Sequence, residues 1–95
     1  MPNQYYRPVN QQVINVTAAS VACTNPFSSQ TSLIRIATGP IGVWYKLGVT
    51  PVATISDIYL PQNWVEILTS TPGEKIAIIQ PTSPSGTFSV TELTN

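Results

Sequence analysis

The chain has 95 residues and only eight formal charges, four of each sign, with no histidine and one cysteine; an average soluble chain of this length carries roughly 24 charges. Zero net charge and four dispersed basic residues supply no phosphate-neutralising stripe, which excludes nucleic acid and anionic membrane surfaces as expected partners. The missing histidine removes the commonest general base, and the single Cys23 can neither close an internal disulfide nor complete a standard zinc site, so no catalytic, cofactor or metal residue is assigned.

A monomer of this mass buries only about 64 % of the surface its unfolded chain exposes, a marginal core. Apolar runs such as Ile76 to Ile79 are far shorter than the roughly 20 residues a membrane-spanning helix needs. The first residues lack the apolar stretch of a secretory signal, and the reading is of a protein made in a cytoplasm. Cys23, beside Val21 and Ala22, reads as a small buried hydrophobe. Between its nine prolines, five glycines and crowded β-branched residues, no window of a dozen residues keeps helical spacing, while 10 Ile, 9 Val and 12 Thr favour a pleated, half-buried surface. The expected class is all-β.

In chain order, residues 1–12 are polar, carry Pro2 and Pro8, and interleave Tyr5 and Tyr6 with Arg7. They read as an extended arm whose two tyrosines and arginine suit an interface, ahead of a single β domain over 13–95. Val13 to Ala18 is the first expected strand, with Val21 to Thr24 continuing it to the Asn25-Pro26 turn and Phe27 packing back. Leu33 to Ala37 places Ile34 and Ile36 on one face. After Gly39-Pro40, Val43 to Leu47 sets Val43, Tyr45 and Leu47 against Trp44 and Lys46, one aromatic to each face. A loop from Gly48 to Asp57 leads to a short strand at Ile58 to Leu60, closed by Pro61-Gln62-Asn63.

Trp64 to Thr69 opposes Val65 and Ile67 to Trp64, Glu66 and Leu68, with Glu66 expected on the solvated face. Thr71-Pro72-Gly73-Glu74 has Pro before Gly as a type II turn prefers, making a hairpin with the apolar strand Lys75 to Gln80 the natural expectation. Thr87 to Leu93 closes the chain with Phe88 and Val90 inward. About seven short antiparallel strands with regular turn signals specify a small β-sandwich or jelly-roll-like barrel.

The four carboxylates, Asp57, Glu66, Glu74 and Glu92, fall in different strands or turns with no motif joining them, and Glu74 at its turn and Glu66 on a strand's outer face read as solvated charges. The hydroxyls have no activating partner, and Gly39, Gly42 and Gly48 are too widely spaced for a phosphate cradle. No enzyme is expected. The aromatics are the remaining candidates: one of Trp44 and Trp64 is expected in the core and the other against a partner, and Trp44, Tyr45, Tyr59 or Trp64 could instead stack on a sugar. A surface of Thr, Ser, Gln and Asn with few guarding lysines is poorly defended against association, which points to a subunit of an assembly.

One stretch, Ser32-Leu33-Ile34-Arg35-Ile36, then Val43-Trp44-Tyr45-Lys46-Leu47-Gly48, Asp57-Ile58-Tyr59-Leu60-Pro61, Val65-Glu66, Thr71 to Ala77 and Ser85-Gly86-Thr87, resembles small tailed-phage structural proteins over about two thirds of the chain. Its motifs are turns and strands, not catalytic signatures. The resemblance implies a virion component, foremost a capsid decoration (cement) protein on the outer surface of the capsid. Such a subunit would be trimeric, would bind the major capsid protein, and would use Tyr5, Tyr6, Arg7, Trp44 and Trp64 at its interfaces. A head-to-tail connector, tail or fibre-associated subunit and a carbohydrate-binding β module are the alternatives.

Overall fold

A computed structural model describes residues 7–82 and 85–94. Eight strands form two four-stranded sheets: β1 (Arg7–Asn15), β2 (Val21–Ala22), β3 (Leu33–Thr38), β4 (Val43–Gly48), β5 (Ile58–Leu60), β6 (Val65–Thr69), β7 (Lys75–Ile79) and β8 (Thr87–Thr94). One sheet has the order β1-β8-β3-β6 and the other β2-β7-β4-β5, with every pair antiparallel. The pairs β1·β8, β2·β7, β3·β6 and β4·β5 are the rungs of one long ribbon with its tip between β4 and β5. Folding that ribbon across itself brings β8 beside β3 and β7 beside β4. This is the jelly-roll arrangement of a β-sandwich.

The strands with two neighbours have the most apolar inner faces. In β7, Ile76, Ala77 and Ile78 are completely buried; in β3 and β8, Ile34, Ile36, Phe88 and Val90 fill the space between the sheets with Val43 and Leu60. Turn chemistry sets the corners. Gly73 takes φ +84° in the Thr71–Glu74 turn, closed by a 3.2 Å bond from the Glu74 N–H to the Thr71 carbonyl, the left-handed conformation that position of a type II turn requires. Asn63, at φ 53°, uses the tolerance of asparagine for the same region after β5. Phe27 packs into the core as expected, and its backbone clasps Glu74 and Gly73 at 2.8 and 3.0 Å.

Four expectations change. The 12/13 boundary between arm and domain falls inside β1, because Arg7 to Gln12 already pair with β8 from Thr94 to Val90, with a register shift between Pro8 and Asn10. Alternation in this segment is obscured by that shift and by its polar composition. The Thr71–Glu74 turn does not make a hairpin, since β6 belongs to the first sheet and β7 to the second; the turn carries the chain across the sandwich. In β6 the phase is inverted: Leu68 packs on the core and Glu66 is half-buried, while Val65 and Ile67 face out. β6 is an edge strand, and register with Ile34 and Ile36 on β3, not hydrophobicity, selects its inner face. Finally, neither tryptophan enters the core: Trp64 is 50 % exposed and Trp44 half-buried on an outer face.

Candidate interaction surfaces

On the second sheet, Trp44 of β4 stands directly across from Tyr59 of β5 and from Ile79 of β7. The rings of Trp44 and Tyr59 meet with centroids 4.7 Å apart and planes tilted by 54°, a geometry that adds attraction beyond area burial. Gly42 makes room for the pair: a Cβ there would collide with the Tyr59 phenol and lie 2.8 Å from the Leu60 carbonyl oxygen. The Gly42 carbonyl is held by the buried Gln80 side chain, whose Nε2 donates at 2.8 Å.

The β4–β5 loop, residues 49–57, reaches back over this sheet. Its Ala53 N–H donates to Ser20 Oγ at 2.8 Å, next to β2 and so across the width of β7. Ala77 is in the outward phase of β7 yet wholly buried, and Ala53 is buried with it, as befits a face covered by a loop of small residues. The loop's tip is closed on itself by Asp57, whose Oδ2 accepts from the Thr54 N–H at 2.7 Å and from Thr54 Oγ at 3.2 Å. Held at both ends, it leaves Val49, Val52 and Ile55, with Ile58 beyond, exposed. Pre-ordered apolar side chains of this kind dock without the entropy cost of ordering a mobile loop.

The outer face of the first sheet carries a second apolar set. One row across the strands is Val13, Ser89, Ala37 and Val65, and the next is Gln11, Thr91, Arg35 and Ile67. Val13, Val65 and Ile67 are exposed at 59, 45 and 57 %. Arg35, also exposed, has the neutral Thr91 and Ile67 as its cross-strand neighbours.

Trp64 lies at the rim where β6 begins. Its backbone is pinned to Thr38, through the Trp64 N–H to Thr38 Oγ at 2.9 Å and the Thr38 N–H to the Trp64 carbonyl at 3.0 Å. Its indole Nε1 donates to Glu66 Oε2 at 2.9 Å. Glu66 also bears on the opposite sheet: burial, and then the Glu66 charge, push the Tyr45 phenol above its ordinary range. Arg7 opens β1 opposite Thr94 and is exposed. Tyr5 and Tyr6 lie outside the described residues. The structure therefore does not gather Arg7, Trp44 and Trp64 into one patch: they occupy an edge strand, an outer face and a rim.

Two polar clasps close the edge where β1 and β2 meet. The Gln12 side chain bonds the Asn25 backbone at both ends, donating from Nε2 at 3.0 Å and accepting at Oε1 from the Asn25 N–H at 2.9 Å, as a neighbouring strand would. Glu92 is the more consequential. It is 3 % exposed, and its Oε1 accepts from the Ser28 N–H at 3.0 Å and from Thr31 Oγ at 2.5 Å, while Oε2 accepts from Asn10 Nδ2 at 3.3 Å. Glu92 is thus a buried acceptor joining three segments, not a solvated charge. Phe88 and Val90 point inward, and two more residues along the strand the same phase carries Glu92 in. Between the edge strands, a groove of about 360 Å³ runs along Gln12 to Asn15 and Val21 to Thr24. Cys23, at its floor, is buried as expected; burial raises its thiol pKa, opposed chiefly by the Ile76 N–H that donates to Sγ.

Among the described residues, no group of three or more Cys, Asp and Glu side chains could hold a metal ion. Asp57 serves as a hydrogen-bond acceptor for its own loop, Glu92 for the β2–β3 connection and β1, and Glu66 for the Trp64 indole. Compared with family models, with curated proteins and with solved structures, the chain matches none.

Proposed function

We propose that this chain is a non-enzymatic structural subunit of a tailed-phage virion, a decoration protein that sits on the outer surface of the capsid, binds the major capsid protein and associates with copies of itself. The observation that carries this reading is the balance of the surface. Among the described residues, ten large apolar side chains are exposed on the sandwich: Val9, Val13, Val49, Val52, Ile55, Ile58, Tyr59, Trp64, Val65 and Ile67. Against them the sequence sets eight charges, one of them the buried Glu92. Exposed apolar side chains grouped on one face, as Val13, Val65 and Ile67 are on the first sheet, mark protein contact surfaces. The jelly roll is a fold used by viral shells and by lectins alike, so it supports the reading only by analogy.

The mechanism is linkage. A subunit that binds the assembled lattice and not the free capsid protein stabilises the shell by RT ln(1 + [L]/Kd) per site, about 2.7 kcal/mol at a hundredfold excess over Kd. A trimer would multiply that through simultaneous engagement of neighbouring capsid subunits. The sugar-platform alternative draws on Trp44, Tyr45 or Trp64, but Tyr45 is buried and the Trp44 ring meets Tyr59 at a tilt of 54°, so no single flat surface is offered.

The test adds the purified protein to shells stripped of it and measures occupancy and thermal rupture. Saturable binding with a higher rupture temperature is expected, and no binding would reject the reading. The arm is tested by removing residues 1–6 only, because a cut at 12 would also take the strand residues Arg7 to Gln12. Weaker occupancy by a folded variant is expected, and unchanged occupancy would remove the arm's role.

A further inference from the structure

The two apolar surfaces carry opposite charges. On the first sheet's outer face, Arg35 lies directly across from Ile67 and diagonal to Val65, with Val13 two strands away on β1. On the β4–β5 loop, which belongs to the other sheet's side, Asp57 closes a segment that carries the exposed Val52 and Ile55 and leads into the exposed Ile58. One Asp57 oxygen is occupied by Thr54, and the carboxylate is part-exposed. Of the other three acids, Glu92 is buried, Glu66 accepts from the Trp64 indole, and Glu74 is half-buried in the Thr71–Glu74 turn.

From this pairing we propose that copies of this chain associate head to tail, the 52–58 loop of one seated on the Val13–Arg35–Val65–Ile67 face of the next, with Asp57 meeting Arg35. A second copy fits this face better than a two-fold pairing of like faces, which would bring two Arg35 guanidinium groups together at the centre of the contact. Such like-charge juxtaposition is costly, whereas the loop brings aliphatic side chains and a single carboxylate to an aliphatic surface with a single cation. An interface of this heterologous type leaves one loop and one face open at every step, so it closes into a ring when the rotation permits and otherwise runs on as an open chain. The inference deepens the self-association part of the reading above, names the surfaces that perform it, and stands without the capsid part.

The test uses the isolated full chain and needs no capsid. By light scattering and sedimentation across a concentration series, the parent is expected to exceed monomer mass, and a strictly monomeric parent would overturn the proposal. Ile55→Asp disables the loop and Ile67→Asp disables the face; both positions are exposed, and circular dichroism checks that each variant is folded, with Val52→Asp and Val65→Asp as replacements. Each variant alone is expected to remain monomeric, its association weakened roughly tenfold or more. An equimolar mixture is expected to stop at a 1:1 dimer, since one intact loop meets one intact face and no further contact remains. A loop variant that still dimerises alone, or a mixture that stays monomeric, would overturn it. Arg35→Gln should weaken the parent's association and abolish its salt dependence; an unchanged salt response would exclude the Arg35–Asp57 pairing.

Discussion

Replacing Glu92 separates a buried structural carboxylate from a solvated one. Its two firm bonds, from the Ser28 N–H at 3.0 Å and Thr31 Oγ at 2.5 Å, fasten the β2–β3 connection to β8. The longer bond from Asn10 Nδ2, at 3.3 Å, fastens the first half of β1 to the same point. Hydrogen bonds to a charged group contribute about 1.5–3 kcal/mol each, so the two firm ones set a gross loss of about 3–6 kcal/mol for Glu92→Ala. Two offsets reduce it: Ser28 is exposed and its freed N–H reaches water, and alanine removes a charge whose burial is itself unfavourable. The expected net loss is about 2–4 kcal/mol. At about 4–8 °C per kcal/mol for a domain of this size, the Tm should fall by roughly 10–30 °C. Glu92→Gln keeps an acceptor toward Ser28 and Thr31 and turns its NH2 toward Asn10, whose own amide can flip to accept; it should stay within about 1 kcal/mol of the parent. Urea unfolding monitored by circular dichroism measures all three proteins. An alanine variant within 1 kcal/mol of the parent, or a glutamine variant as weak as alanine, would refute the clasp.

Three further outcomes are expected. Gly42→Ala forces a methyl group toward the Tyr59 phenol and the Leu60 carbonyl; it should cost about 1–3 kcal/mol and change the near-ultraviolet circular dichroism of the Trp44–Tyr59 pair, and an unaltered spectrum would show that the pair does not depend on that space. Cys23 is buried with its thiol pKa raised, so native protein at pH 8 should react with a thiol reagent far more slowly than unfolded protein; equal rates would contradict its burial. Tyr45 holds its proton more tightly when folded, through burial and the nearby Glu66 charge. The unfolded chain therefore ionises first as pH rises through about 10, and stability should decline from there upward. Tyr45→Phe should lack this component of the alkaline decline, and parallel pH profiles for the two proteins would count against it.

The elements bounded by turn residues were legible from sequence: β3, β4, β7 and β8 lie within a residue or so of their expected positions, β3, β4 and β8 from apolar residues at every second place and β7 from a short continuous apolar run. The short strand at Ile58 to Leu60 and the Phe27 anchor were legible from the turn signals beside them. What failed depended on partners distant in sequence. A turn of hairpin chemistry at Pro72-Gly73 served a crossing between sheets, since turn type fixes the local bend and not which strand lies alongside. Val65 and Ile67 are more apolar than Glu66, yet pairing with Ile34 and Ile36 determines which of them faces in. Glu92 was readable by extending the Phe88–Val90 phase, but its neutral donors, Ser28, Thr31 and Asn10, come together only once the ribbon is folded. Of the interface candidates, Trp44 and Trp64 do reach the surface, whereas the aliphatic loop around Ile55 carried no signal apart from its composition.

A decoration protein, the proposed role, covers a viral shell in many copies. Quantitative mass spectrometry of purified particles, referenced to the major capsid protein, is the decisive measurement. A copy number comparable to that of the capsid subunit is expected. A dozen copies or fewer would place the chain on the tail axis or at a vertex, contradicting the decoration role, and complete absence from particles would contradict the virion reading altogether.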